Sequence, residues 1–237
     1  MKIGLIIAAG KQSRFKEQTP KCLAKINGTC ILDTTVENLS KYCDKVFVVC
    51  SNENESYFED FDHVSIVSGL GSGDAILRAI EALSLQNKIS KNDYAIIQWG
   101  DALVSEELYQ KLEFDTDYCS IPCTFEANPY VQIIPYSDKK IAVKFSKYND
   151  QITPGYHDMC VFGANINLLY NKLCDFYYKF YASDHYNHTH GQEFEFLDVF
   201  NDTDYRGKII EVDSSLSTKS FNTIEELKNL GGSTDGK

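Results

Sequence analysis

The stretch Ile3-Gly4-Leu5-Ile6-Ile7-Ala8-Ala9-Gly10-Lys11-Gln12-Ser13-Arg14 opens on an apolar run, residues 3–9, that stops at Gly10. Apolar residues at consecutive rather than alternating positions mark a strand covered on both faces, as in a parallel sheet. The small residues that end the run let backbone approach a ligand closely, with N–H groups turned outward. Arg14 adds a planar fork of donors, and Lys21 after Pro20 adds a compact point charge; Lys11 is a third cation. Such a set suits a polyphosphate. The spacing is neither that of a Walker A loop nor that of a dinucleotide fingerprint.

Outward from this stretch, strand and helix alternate. Residues 31–42 carry a helical stripe at Ile31, Leu32, Thr35, Val36 and Leu39, and residues 45–50 and 64–67 read as buried strands. Residues 73–85 place Ile76, Leu77, Ile80 and Leu83 at helical spacing, with Ser72 as the expected N-cap. Residues 94–99 form a fourth buried strand, ended by Gly100-Asp101. This order predicts an α/β fold, a Rossmann-like, mostly parallel sheet flanked by helices. Beyond residue 100 the pattern changes to strands at 118–124, 130–134, 140–145 and 159–162, an antiparallel or mixed extension. Helices at 165–181 and 193–200, a strand at 208–212 and a short helix at 223–230 complete the chain.

With 237 residues, no Pro/Ser-rich linker, no charge block and no repeat, residues 1–230 read as one domain, and residues 231–237 as a frayed polar tail. A net charge of −11 argues against nucleic acid as the partner. No apolar stretch is long enough to span a bilayer and no signal peptide precedes the first strand, so a soluble cytoplasmic protein without a membrane partner is expected. The eight cysteines include no C-x-x-C pair, and buried thiols are expected rather than zinc or disulfides.

In open parallel sheets, ligands sit beyond the carboxyl ends of the strands. Three further segments fall there or close the chain. Gly69-Leu70-Gly71-Ser72-Gly73-Asp74-Ala75 precedes the second long helix and offers backbone amides to a base edge or phosphate. Asp101 follows a strand end, within reach of a metal on phosphate oxygens. Phe221-Asn222-Thr223-Ile224-Glu225-Glu226-Leu227 combines a cap, Thr223, with the Glu226 of a capping box.

In this order, the motifs resemble those of the nucleotidyltransferases that make nucleotide-activated sugars, alditols and cholines. Residues 6–21 resemble that family's A-A-G-x-G-x-R…P-K signature, with Gln12 where its second glycine usually stands. The resemblance runs from Ile6 to Leu227 and implies a GT-A-like fold with an antiparallel acceptor side. It further implies Ala8, Ala9, Gly10, Lys11, Gly71, Ser72 and Gly73 at the nucleotide, and Arg14, Lys21 and Asp101 at the reaction centre. Mg²⁺ is the implied cofactor, on Asp101 and on Asn222, which stands where aspartate is commoner. Lys144 and Glu193 are the implied acceptor contacts.

The implied reaction moves a nucleotidyl group from a nucleoside triphosphate to a small phosphorylated acceptor, releasing pyrophosphate. Among relatives of this size are the phosphocholine cytidylyltransferases and the capsule-pathway phosphoglutamine cytidylyltransferases. The resemblance favours CTP and a phosphorylated amino acid or amine; a sugar 1-phosphate with UTP, CTP or another triphosphate is the alternative. From other classes, a non-catalytic nucleotide sensor and a transition-metal site at His185, His188 and His190 remain open. A glycosyltransferase D-x-D is discounted, because Asp60-Phe61-Asp62 precedes a strand instead of following one.

Overall fold

A computed structural model describes residues 1–10, 15, 17, 19–67, 70–145, 153–182, 193–201, 204–216 and 218–234. The strands in chain order are β1 (Lys2–Ile7), β2 (Lys25–Ile26), β3 (Thr29–Cys30), β4 (Lys45–Ser51), β5 (His63–Ile66), β6 (Tyr94–Trp99), β7 (Ala102–Val104), β8 (Cys119–Glu126), β9 (Val131–Ser137), β10 (Lys140–Phe145), β11 (Gly155–Asp158), β12 (Val161–Asn165), β13 (Gly207–Glu211), β14 (Thr218–Ser220) and β15 (Gly232–Ser233). The helices are α1 (Ile31–Ser40), α2 (Ser72–Leu85), α3 (Glu107–Lys111), α4 (Ile166–Ala182) and α5 (Ile224–Asn229).

The apolar opening run becomes the inner strand of the parallel half. β1 pairs in parallel with β4 (Ile6 opposite Val48) and with β6 (Ile7 opposite Trp99), and β4 pairs in parallel with β5. Alternate residues of β1 face opposite layers. Ile3 and Leu5 pack with Ile76, Leu77, Ile80 and Leu83 of α2, while Ile6 packs with Leu32 and Leu39 of α1. Burying each such side chain contributes roughly 1.5–3 kcal/mol. Helices on both faces are therefore what the apolar run dictates. The fold is a mixed sheet flanked by helices, parallel through β5, β4, β1 and β6.

The second half is not a separate layer. β12 runs antiparallel beside β6, with Val161 opposite Gln98, and carries the same sheet onward through β8, β11, β9 and β10. β13 pairs with β8 in parallel, a crossover rather than a hairpin return. α4 and the aromatic residues Phe194, Phe196 and Phe200 cover one face of this half.

Four expectations are corrected. The strand expected at 159–162 begins only at Val161, as β12; residues 159–160 are the turn from β11, where Cys160 has a φ of +60°. The helix expected at 193–200 is an irregular segment, residues 193–195, followed by a 3-10 helix, Phe196–Asn201, because its backbone bonds to the start of α2. Ser72 is the first residue of α2, not its cap; Gly71 holds that place at φ +117°. Finally, Gly232–Ser233, expected in the frayed tail, pairs with β2. The expected cap of the last helix is present: Thr223 Oγ1 accepts the Glu226 N–H at 3.2 Å, and Glu226 accepts the Asn222 N–H at 2.6 Å.

Candidate active site

At the carboxyl ends of β1 and β6 lies a cavity of about 560 Å³, a size suited to a small ligand. Ala8, Ala9 and Gly10 line it directly after β1. A Cβ on Gly10 would meet none of the described residues within 4 Å. Gly100 is different. Its N–H donates to the Ile7 carbonyl at 2.9 Å, and a Cβ there would lie 2.9 Å from that same oxygen. The β6 exit is thus tied to the β1 exit, with Asp101 at the junction.

Lys21 begins a 3-10 turn after Pro20. Its Nζ donates to Asp101 Oδ2 at 2.6 Å and to the Phe221 carbonyl at 3.1 Å. The β7–β14 pair, with Ser220 opposite Ala102, brings Phe221 and Asn222 alongside Asp101 although they are distant in sequence. Phe221 is buried against Phe15, ring centroids 5.6 Å apart. Lys21, Asp101 and Asn222 therefore line one wall of the cavity together. Lys11, Gln12 and Arg14 lie outside the described residues, as do His185, His188 and His190.

Gly71, Ser72 and Asp74, at the start of α2, line the same cavity. The glycine-rich segment here meets residues 193–196. A Cβ on Gly71 would lie 2.5 Å from the Phe194 carbonyl oxygen, and one on Gly73 would strike the Phe194 ring. The Gly73 N–H donates to the Phe194 carbonyl at 2.8 Å, and Gly73 is not among the cavity-lining residues. Ser72 Oγ donates to Glu195 at 2.8 Å and accepts the Phe196 N–H at 2.9 Å. The expected base-facing amides are thus partly engaged by the strap of residues 193–196.

Tyr130, Val131, Phe145, His157, Asp158, Glu193, Glu195 and Leu197 form the far end. Glu193, one of the two expected acceptor contacts, lines this cavity. Lys144, the other, is exposed and does not line it, whereas its neighbour Phe145 does, as strand alternation requires. His157, Asp158 and Glu195 escaped the sequence reading; none sits in a spacing that separates it from ordinary strand or loop residues.

Two cysteines reach the cavity, Cys22 and Cys160. Burial raises both thiols well above their ordinary range, with Cys30 adding to Cys22 and Asp158 to Cys160, so neither is a thiolate nucleophile. All eight cysteines are free. Among the described residues no three His, Cys, Asp or Glu side chains cluster as a closed metal site. Asp60 and Asp62 lie outside the cavity lining.

A structure from Bacillus anthracis, described as a glucose-1-phosphate thymidylyltransferase in complex with a sucrose, superposes with a TM-score of 0.68 over 98% of this chain and 94% of that one, at 13% identity. The fold is therefore the GT-A-like nucleotidyltransferase fold. Residues 4–133 match the MobA-like NTP transferase domain, and the chain belongs to that family. Among relatives, the 2-C-methyl-D-erythritol 4-phosphate cytidylyltransferase of Vibrio vulnificus (strain CMCP6) is 29% identical over 125 residues, 50% of this chain and 51% of that protein. The enzyme of the same name from Thermosipho africanus (strain TCF52B) is 32% identical over 120 residues, 47% of this chain and 52% of that protein. The bifunctional protein GlmU of Methanococcus maripaludis (strain C5 / ATCC BAA-1333) is 22% identical over 161 residues, 64% of this chain and 37% of that protein. The chain thus spans about half or less of the length of these relatives.

Proposed function

We propose that this chain is a nucleotidyltransferase, moving a nucleotidyl group from a nucleoside triphosphate onto a small phosphorylated acceptor with release of pyrophosphate. One observation carries the reading: Lys21, Asp101 and Asn222 converge at the strand ends and line one cavity with Gly71 and Ser72. In the reaction an acceptor phosphate oxygen forms a bond to the α-phosphorus as the bond to the pyrophosphate oxygen breaks. The acceptor oxygen is already anionic, so no side chain need remove a proton. The chain's work is to align two anions and balance their charge. Ala8 to Gly10 give the phosphates a close backbone approach, and Lys21 neutralises them together with the basic side chains of residues 11–14.

The donor set fits Mg²⁺. Asp101 and Asn222 are hard oxygen ligands, and this ion is commonly held by one or two carboxylates with phosphate oxygens and water completing its shell. When bound, it supplies charge neutralisation on phosphate oxygens.

CTP is the favoured donor, supported by two relatives named cytidylyltransferases. For the acceptor we favour phosphoglutamine or phosphocholine, in capsule biosynthesis in the cytoplasm, with residues 1–230 acting as one catalytic unit. No described helix is long and apolar enough to cross a membrane. A sugar 1-phosphate is the second reading, supported by the name of the thymidylyltransferase with the same fold. The test is pyrophosphate release from CTP, UTP, ATP, GTP and dTTP, each with phosphoglutamine, phosphocholine, glucose 1-phosphate and 2-C-methyl-D-erythritol 4-phosphate. Release with CTP and an amino-bearing phosphate is expected. Tight binding of a triphosphate without turnover on any acceptor would instead identify a nucleotide sensor.

A further inference from the structure

The turn between β11 and β12 touches both arms of the reaction centre. Asp158 is buried, 3% exposed, and its Oδ1 accepts the N–H of Cys160 at 3.0 Å. That bond closes an Asx turn and holds Cys160 at φ +60°, a conformation a cysteine does not adopt without support. The carbonyls of the turn then point two ways. The Cys160 carbonyl accepts the Trp99 N–H at 3.1 Å, two residues before Asp101. The Met159 carbonyl accepts the Thr218 hydroxyl at 3.1 Å, on β14, which leads through Ser220 into Asn222. The Met159 N–H is itself fixed on the Pro122 carbonyl at 3.0 Å.

We infer that Asp158 is a positioning residue of the reaction centre, setting the two chain arms that carry Asp101 and Asn222 in register with each other. The inference rests on the nucleotidyl-transfer reading for its consequence in catalysis, and on the hydrogen bonds alone for its geometry. It assigns Asp158 no contact with substrate. What matters is an acceptor oxygen at this position, not its charge. Asparagine supplies the same oxygen and tolerates the same turn.

Three variants test it: Asp158→Ala, Asp158→Asn and Cys160→Val, the last placing a β-branched residue where φ is positive. Amide hydrogen exchange is read on the peptides containing residues 99–102 and 218–222, in the free protein. Asp158→Ala and Cys160→Val should raise exchange in both peptides, while Asp158→Asn should match wild type. Where turnover is established, kcat should fall about 10- to 100-fold in Asp158→Ala and Cys160→Val, the range usual for groups that orient metal ligands, with KM for the triphosphate nearly unchanged. Asp158→Asn should recover most of that loss.

Unchanged exchange in both peptides of Asp158→Ala overturns the inference, whatever reaction the chain performs. So does an Asp158→Asn variant as impaired in kcat as the alanine, which would make the charge itself the active feature. An Asp158→Ala protein that loses melting temperature but keeps wild-type kcat also overturns it. If wild type releases no pyrophosphate from any triphosphate, the functional reading fails, and the exchange experiment still decides the geometry.

Discussion

The parallel half of the sheet and its antiparallel continuation build the cavity in different ways. In the parallel half, β1, β4, β5 and β6 are covered by helices, and the site consists of what immediately follows a strand: Ala8 to Gly10 after β1, and Gly100-Asp101 after β6. In the other half the site residues are held by bonds between distant segments. Residues 193–196 are fastened to the start of α2, and the turn at Cys160 is fastened to the β6 exit. The first half therefore contributes a backbone cradle fixed by strand geometry. The second contributes walls whose position depends on particular hydrogen bonds.

The sharpest test of the comparison lies where the halves join. Asp101 belongs to the parallel half but is bonded to Lys21 and lies beside Asn222 from the end of the chain. Asp101→Ala is expected to lower pyrophosphate release on the order of 10³-fold, because it removes both the proposed metal ligand and the partner that orients Lys21. The melting temperature should stay within a few degrees of wild type, since the carboxylate is partly exposed and its ion pair adds little to stability. Substantial turnover at saturating Mg²⁺ would remove Asp101 from the reaction centre.

Two glycines divide the halves next. Gly71→Ala places a methyl group 2.5 Å from the Phe194 carbonyl oxygen at a φ of +117°, so strain and steric overlap act together. A loss of about 3 kcal/mol in denaturant unfolding is expected. Gly10→Ala meets no described residue within 4 Å, and its stability should remain within about 0.5 kcal/mol of wild type. Its effect should appear instead as a raised KM for the triphosphate. If the stability loss falls on Gly10→Ala instead, the division between a ligand-facing and a packing glycine is wrong.

How far the sequence foretells the molecule follows the same line. The parallel half is legible because a strand covered on both faces must be apolar at consecutive positions, and 3–9, 45–50 and 94–99 are. Asp101 is legible as the residue after a strand end and Asn222 only through the family resemblance; both line the cavity. Glu195 and Asp158 are not legible. Glu195 matters through a bond to Ser72, 123 positions away, which no local pattern encodes. The helix expected at 193–200 fails for the same reason: Phe194 and Phe196 engage the backbone or side chains of residues 70–73 in place of their own helical partners. Gly71 and Gly73 are visible as glycines, but the aromatic strap that requires them is not.

Smaller effects probe the Asn222 arm. Thr223 caps α5 by accepting the Glu226 N–H, and this cap stands directly after Asn222. Thr223→Ala should cost about 1 kcal/mol of stability. If the arm is held chiefly by the β7–β14 pairing, kcat should be nearly unaffected. A kcat loss larger than the stability loss explains would show that the cap, too, positions Asn222.

The smallest expected effect concerns Asp74, in the wall between the halves. Burial raises its pKa above the ordinary aspartate value, and the Arg78 guanidinium, 3.3 Å from Oδ1, opposes this only in part. Among the described residues Oδ1 has the Arg78 ion pair but no well-formed hydrogen bond. A carboxyl whose folded pKa exceeds its unfolded one binds protons more tightly when folded, so stability falls as pH rises from the unfolded value through the folded one. At neutral pH the ionised Asp74 is a net cost to the fold. Asp74→Asn should therefore raise the melting temperature slightly at pH 7. That gain should shrink as pH falls and vanish below the ordinary aspartate range, where both states of the wild-type carboxyl are protonated. Melting curves of the two proteins from pH 3 to pH 8 check the sign. A gain that persists at the acid end would mean that packing, not charge, sets the cost at this position.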